Sequence, residues 1–243
     1  MAMLDEIRRF WDDDAPTYDD APGHHPRSPA AQAAWTAALA ALLPPPPARV
    51  LDCGAGTGFL SLIAARLGHR VTALDVSGAM LERLGAAARS EDLAVEVLEG
   101  PAEEPPPGFD AVMERHLLWT LPDPGAALAA WRRAAPAGVL VAVESLWGRA
   151  DRLEALRSSA REALRRWRGT PDDHHGPYPA EVRRALPLGG GTHPRAVAGL
   201  VGASGWPAPR LVRLRDVEWA TALELPLPER LVGVTPRFAV AAG

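Results

Sequence analysis

Cysteine is nearly missing from this chain, and lysine and asparagine are missing altogether. The lone Cys53 excludes an internal disulfide and a thiolate-rich metal cluster. Its place between Asp52 and Gly54 suits a small space-filling residue. Every strongly basic side chain is arginine, alongside abundant alanine and proline, which reads as codon bias rather than as a mechanism. No apolar run approaches the roughly 18–20 residues of a membrane span, and the charged start, Met1 to Trp11, is unlike a signal peptide. The expectation is a cytoplasmic chain with no membrane partner. A net charge of −4 gives no blanket attraction to nucleic acid. What is present is apolar: 47% of 243 residues, ample for the core of one large α/β domain.

The most informative stretch is Val50-Leu-Asp-Cys-Gly-Ala-Gly-Thr-Gly58. An apolar run enters it, Gly54, Gly56 and Gly58 alternate, and a helical pattern (Leu60, Leu62, Ile63, Ala64, Leu67) leaves it. Strand, glycine turn and helix in that order bring bare backbone and free helix N–H groups close to a ligand. Asp52 stands just before the turn, where a carboxylate repels a pyrophosphate and welcomes a cation. A dinucleotide-binding motif wants Gly-x-Gly-x-x-Gly, and here the third glycine comes one residue early.

In this stretch the chain resembles the class I S-adenosylmethionine-dependent methyltransferases, of the kind that act on small molecules. The resemblance implies a Rossmann-like α/β fold: a seven-stranded, mostly parallel sheet with one antiparallel strand near the edge. It implies S-adenosylmethionine as cofactor and S-adenosylhomocysteine as product. By the same resemblance Asp52 lies near the methionine ammonium, and Gly54, Ala55 and Gly56 pass under the methionine part. Asp75 ends the next β-rich run, Arg70 to Asp75, where a carboxylate can accept from both ribose hydroxyls. Val76 follows it. In the family an acidic residue after the third strand reads adenine, but this chain has Pro101 there, which leaves Ala102 backbone and Glu103.

In chain order, residues 1–45 form an N-terminal cap, 46–145 the cofactor-binding core, 146–192 an inserted lid between strands 5 and 6, and 193–243 a closing helix and strand pair. Within the cap, 2–11 and 29–43 are expected as helices. Trp11 to Asp20 matches a family segment that folds over the cofactor, which implies that Tyr18 covers it and that His24 or His25 nears the acceptor. Strands are expected near 93–98, 109–113 and 139–143, with no full crossover helix at Pro105 to Pro107. In the insertion, 152–167 reads as a helix with Leu153, Leu156 and Trp167 on one face and its charges on a solvated one. Two β-type runs, 210–222 and 230–241, end the chain.

Methyl transfer from a sulfonium needs alignment and dryness first, and a base only if the acceptor must lose a proton. Open α/β sheets bind ligands at the carboxyl ends of their strands, which directs attention to Glu114, Arg115 and His116. Glu114 and Arg115 are assigned to the cofactor and His116 to catalysis, with His24 and His25 as further candidates. His174 and His175 lie in a proline-rich loop with Tyr178, where adjacent side chains diverge too readily to chelate, so no metal is expected. Three functions stay open: methyl transfer to an O, N or C atom of a small molecule such as a specialised metabolite, a methyltransferase-like protein catalysing a non-methylating reaction, and a nucleotide-cofactor oxidoreductase. Nucleic-acid amino-methylation is disfavoured, because Glu114-Arg-His-Leu117 replaces Asn/Asp-Pro-Pro-aromatic after the fourth strand. A monomer or homodimer is expected.

Overall fold

The computed structural model of the chain describes residues 2–20, 23–147, 151–167 and 180–243. Seven strands form one sheet: β1 Arg49–Cys53, β2 Arg70–Asp75, β3 Val95–Glu99, β4 Ala111–Arg115, β5 Val139–Ser145, β6 Arg210–Arg213 and β7 Arg237–Ala242, in the order β3-β2-β1-β4-β5-β7-β6. All neighbours are parallel except β7, which runs antiparallel to both β5 and β6. The inner strands are largely apolar, apart from acids near their carboxyl ends, because helices cover both faces of the sheet. β1 shows it: Leu51 and Cys53 join the core on one face and Val50 the core on the other.

One core holds Leu51, Val112, Leu128, Trp131, Leu140 and Trp206; the other holds Trp35, Leu39, Val50, Phe59, Ile63 and Met113. Helices α2 Pro29–Leu42 and α3 Phe59–Arg66 cover the second face, and α5 Pro124–Ala134 and α8 Pro194–Ala203 the first. In the first core both indoles are buried with their N–H groups satisfied: Trp131 donates to the Ala102 carbonyl at 2.7 Å and Trp206 to the Leu128 carbonyl at 2.9 Å. Helix starts follow their caps. Ser77 accepts from Met80 N before α4 Gly78–Ser90, and His193 Nδ1 accepts from Arg195 N before α8. No helix separates β3 from β4, as the proline run at 105–107 implies.

The tail departs from expectation. Only 210–213 of the first expected β run is strand, and α9 Arg215–Glu224 follows at once. Val217 and Ala220 recur three residues apart and are both buried, so a helical period hides inside a run that also alternates. The second run begins as α10 Leu227–Val232 before β7. α6 Arg152–Trp167 is a helix as expected but faces the other way: Leu153, Leu156 and Trp167 are exposed, while Glu154 and Arg161 are buried as an ion pair. Arg161 also donates to Gly233 O and Thr235 Oγ1, so its hydrogen bonds, rather than apolar area, choose the inward face. Helix α1 Ala2–Asp14 and the short α7 Ala180–Ala185 pack through Ile7, Val182 and Leu186. The expected lid loop with His174, His175 and Tyr178 lies outside the described residues.

Gly58 turns the chain into α3 at φ 96°, and a Cβ there would stand 2.7 Å from Leu84 Cγ. Gly58→Ala therefore loses about 1–3 kcal/mol of stability from backbone strain and crowding. A denaturant midpoint unchanged from wild type would contradict this.

Candidate active site

A cavity of about 440 Å³ opens where the sheet's carboxyl ends meet the N-terminal cap. Its floor is the glycine loop at Gly54 and Gly56, then Asp75 and Val76 past β2 and Gly100 to Glu103 past β3. Its roof is one face of α1 (Leu4, Ile7, Phe10, Trp11) together with Tyr18 and His24. Arg115 and His116 close the side past β4, and Trp119, Leu121 and Pro122 give it an apolar wall.

Asp75 holds the floor in shape. Its Oδ2 accepts from Gly56 N at 2.8 Å and its Oδ1 from Ser77 N at 2.9 Å. Burial pushes this carboxyl above the usual range, and those backbone N–H groups pull it back. Each oxygen keeps a second lone pair, so the group can still accept from a vicinal diol. Gly56 has φ 54°, and a Cβ built on it would meet nothing within 4 Å. Bare backbone thus faces open space beside a carboxylate, a cradle that fits a nucleoside.

Two more acids lie beneath the floor. Asp52 is buried, and Ser61 Oγ donates to its Oδ2 at 2.6 Å. Burial raises it to about 7 against that hydrogen bond. Glu114 pairs in register with Cys53 and is also buried, its Oε2 accepting from Leu117 N at 2.9 Å. Burial raises it to about 8.

Arg115 donates to Gly23 O at 2.6 Å, and its guanidinium lies 3.9 Å from the Phe59 ring centroid. Its Nε has no hydrogen-bond partner among the described residues. His116 sits at φ 59°, a region that non-glycine residues enter at a cost. Its N–H donates to Val143 O, and its ring meets Glu144 Oε2 at 3.3 Å through Nδ1 and Ser145 Oγ at 3.4 Å through Nε2. Burial, then Arg115, Arg237 and His24, push the imidazole well below its ordinary pKa. It is therefore a neutral ring at neutral pH, with a lone pair to offer.

Of the residues singled out from sequence, Tyr18, His24, Gly54, Gly56, Asp75, Val76, Ala102, Glu103, Arg115 and His116 line one cavity. Asp52, Ala55, Glu114 and His25 do not line it; the first three lie behind it. His25 turns to Asp19 at 3.1 Å. Burial alone would raise Asp19, but hydrogen bonds from His25, Thr57 and Arg83 outweigh it and hold the carboxyl at about 2. The Tyr18 and His24 rings lie 4.0 Å apart with a 34° tilt, and burial raises the phenol, so it stays protonated. Missed from sequence were the α1 roof and Glu144. An acid ending the buried run Val139-Leu-Val-Ala-Val143 was the available signal for Glu144. Among the described residues no group of three or more His, Cys, Asp or Glu could hold a metal ion.

The model of the family described as "Methyltransferase domain" matches residues 51–142, which carry every strand end lining the floor. Over this segment the chain is similar to a methyltransferase domain. Among curated proteins, the chain is similar to the ubiquinone biosynthesis O-methyltransferase of Xanthomonas campestris pv. campestris, 39% identical over 120 residues, or 48% of this chain and 47% of that one. The match thus spans about half the length of the curated relative. Among solved structures, the domain is similar to phosphoethanolamine N-methyltransferase 2 of Haemonchus contortus (TM-score 0.64, 15% identity, 100% of this chain and 60% of that one). It is as similar to the cyclase SpnF (TM-score 0.64, 17% identity, 97% and 94%). These two likenesses show the shared fold.

Two outcomes test the methyltransferase floor. Asp75→Ala weakens S-adenosylhomocysteine binding by about 1.5–3 kcal/mol, the worth of hydrogen bonds to a charged group; calorimetry with unchanged affinity would remove Asp75 from the ribose site. Asp52 has a folded pKa of about 7, above its unfolded value, so the fold binds its proton and stability from this group falls as pH rises from about 4 to 7. Asp52→Asn keeps an acceptor for Ser61 and removes the penalty. Its stability gain over wild type grows between pH 5 and pH 8 by on the order of 2–4 kcal/mol, from about 1.4 kcal/mol per pKa unit. A gain that is flat with pH in urea titrations would contradict the assignment.

Proposed function

We propose that this chain transfers a methyl group from S-adenosylmethionine to a hydroxyl oxygen of a small, largely apolar acceptor. The observation that carries the reading is the cavity's two ends: a carboxylate and bare glycine backbone at one, a neutral imidazole at the other. Asp75 would hold the ribose, Gly54 and Gly56 backbone the methionine part, and Ala102 with Glu103 the adenine side. Tyr18 and Arg115 would close over the methionine end. When bound, the cofactor supplies a methyl group on a sulfonium, already a strong electrophile with a neutral leaving group.

The protein's own work is then positioning, drying and deprotonation. The α1 residues and Trp119 give an apolar enclosure that excludes water and suits an aromatic or aliphatic acceptor body. His116 would take the hydroxyl proton as the oxygen becomes nucleophilic. Oxygen is favoured over a neutral amine, which needs no base before attack, and the curated relatives are themselves named O-methyltransferases.

The test is product analysis with a panel of phenols and aliphatic alcohols. An O-methylated product forms in step with S-adenosylhomocysteine. His116→Gln lowers kcat by about 10²-fold or more, the usual share of a positioned base, while cofactor affinity stays within twofold. Turnover equal to wild type would strip His116 of this role. Cofactor binding with no methylated product would favour a non-methylating reaction.

A further inference from the structure

A neutral imidazole whose pKa is pushed down is a reluctant base. Any proton that His116 accepts creates an imidazolium in a buried site that already faces Arg115 from β4, Arg237 from β7 and His24 from the cap. That charge needs a counter-charge. Among the described residues, the carboxyl within ion-pair distance of the ring is Glu144, 3.3 Å from Nδ1. It is fully buried, at the end of β5, and its Oε1 has no hydrogen-bond partner. The sheet register places it there: Arg115 pairs with Val143, so the next residue on each strand, His116 and Glu144, come abreast. The positive φ of His116 then turns the ring toward the acid instead of continuing the strand.

We propose that Glu144 is the positioning residue of His116, and that the two act as one base. The proposal rests on the reading of His116 as the group that deprotonates the acceptor. With the pair deprotonated, the Nδ1–H of His116 donates to the Glu144 carboxylate, which leaves the lone pair on Nε2, the nitrogen beside Ser145 Oγ. The acceptor O–H then gives its proton to Nε2, the oxygen keeps the bonding pair for attack, and the imidazolium is held against the carboxylate. Nothing else is consumed. With one proton more, carried between Nδ1 and the carboxyl, the Nε2 nitrogen is protonated and the pair is idle.

Glu114 sets where that changeover falls. It stands on the neighbouring strand, on the same face as Glu144, and its Oε1 also lacks a hydrogen-bond partner. Burial raises Glu144 well above the ordinary carboxyl range, and the charge of Glu114 raises it further, while the backbone N–H of Leu118 favours ionisation of both. Two acids that oppose each other's ionisation titrate as a unit. The changeover therefore lies above the ordinary range of either an isolated carboxyl or an isolated, depressed imidazole. Below it the enzyme is off, and above it the enzyme is on.

The experiment reads the ring directly. Long-range proton–nitrogen spectra of the histidine side chains, with His116 assigned through His116→Gln, are followed from pH 5 to 9 in the protein saturated with S-adenosylhomocysteine. Wild type passes to the Nδ1–H tautomer at high pH. Glu144→Gln removes that titration step and no longer enforces the tautomer, while S-adenosylhomocysteine affinity stays within twofold and shows the variant folded. Its kcat falls roughly ten- to a hundredfold with KM little changed, a fraction of the loss of the base itself. Glu144→Asp keeps the charge and restores part of the pH profile. Identical tautomer and titration in wild type and Glu144→Gln overturn the pairing, even if His116→Gln is inactive. A tautomer change with unaltered kcat leaves the pairing standing and overturns the base reading instead.

Discussion

The grip of one carboxylate on two backbone N–H groups organises this molecule. Asp75 binds Gly56 N from the loop after β1 and Ser77 N at the entry to α4, so it pins two strand ends to each other at the point where the sheet meets the cavity. Neither partner could be supplied by a helix or a ladder, because both belong to turns. The same carboxylate lines the cavity. With the ribose role proposed for it, structure and recognition would use different lone pairs of one group, and a substitution there is expected to act on both.

Around that grip the strands end in acids. Asp75 of β2, Asp52 of β1, Glu114 of β4 and Glu144 of β5 form a row across adjacent strands, and burial raises all four. A core of this size would be more stable with apolar residues in most of these places. Their retention at one end of the sheet, the end where parallel sheets bind ligands, marks a site kept at the expense of stability. Arg115, held over Phe59 and short of one acceptor, balances part of that row.

Much of this was legible from sequence, for identifiable reasons. Strands buried on both faces have no polar alternation to confuse, so β1, β2, β4 and β5 read as short apolar runs, and Asp75 stands out as the acid that closes one of them. The glycine spacing named the loop. The tail was misread because Val217 and Ala220 fit a helix while their neighbours also alternate, and only the presence of β7 beside β5 decides which period is used. α6 was misread for the opposite reason: a buried Glu154–Arg161 pair reverses the usual inside and outside of an amphipathic helix, and no periodicity can announce that. Glu144 escaped because its importance is a matter of register. Nothing near it in sequence tells that His116 will stand abreast of it.

The cap deserves a kinetic reading. α1 supplies the apolar roof, and its Asp12 accepts from Ser77 Oγ at 2.6 Å and from Ala79 N at 3.3 Å, at the first turn of α4. Further along, Asp19 takes Thr57 Oγ1 and Arg83, and Gly23 O takes Arg115. The roof is thus fastened to the same loop and helix start that carry the floor. Where entry of a ligand requires the cap to lift, those contacts must break first, and the opening rate would set the ceiling on association.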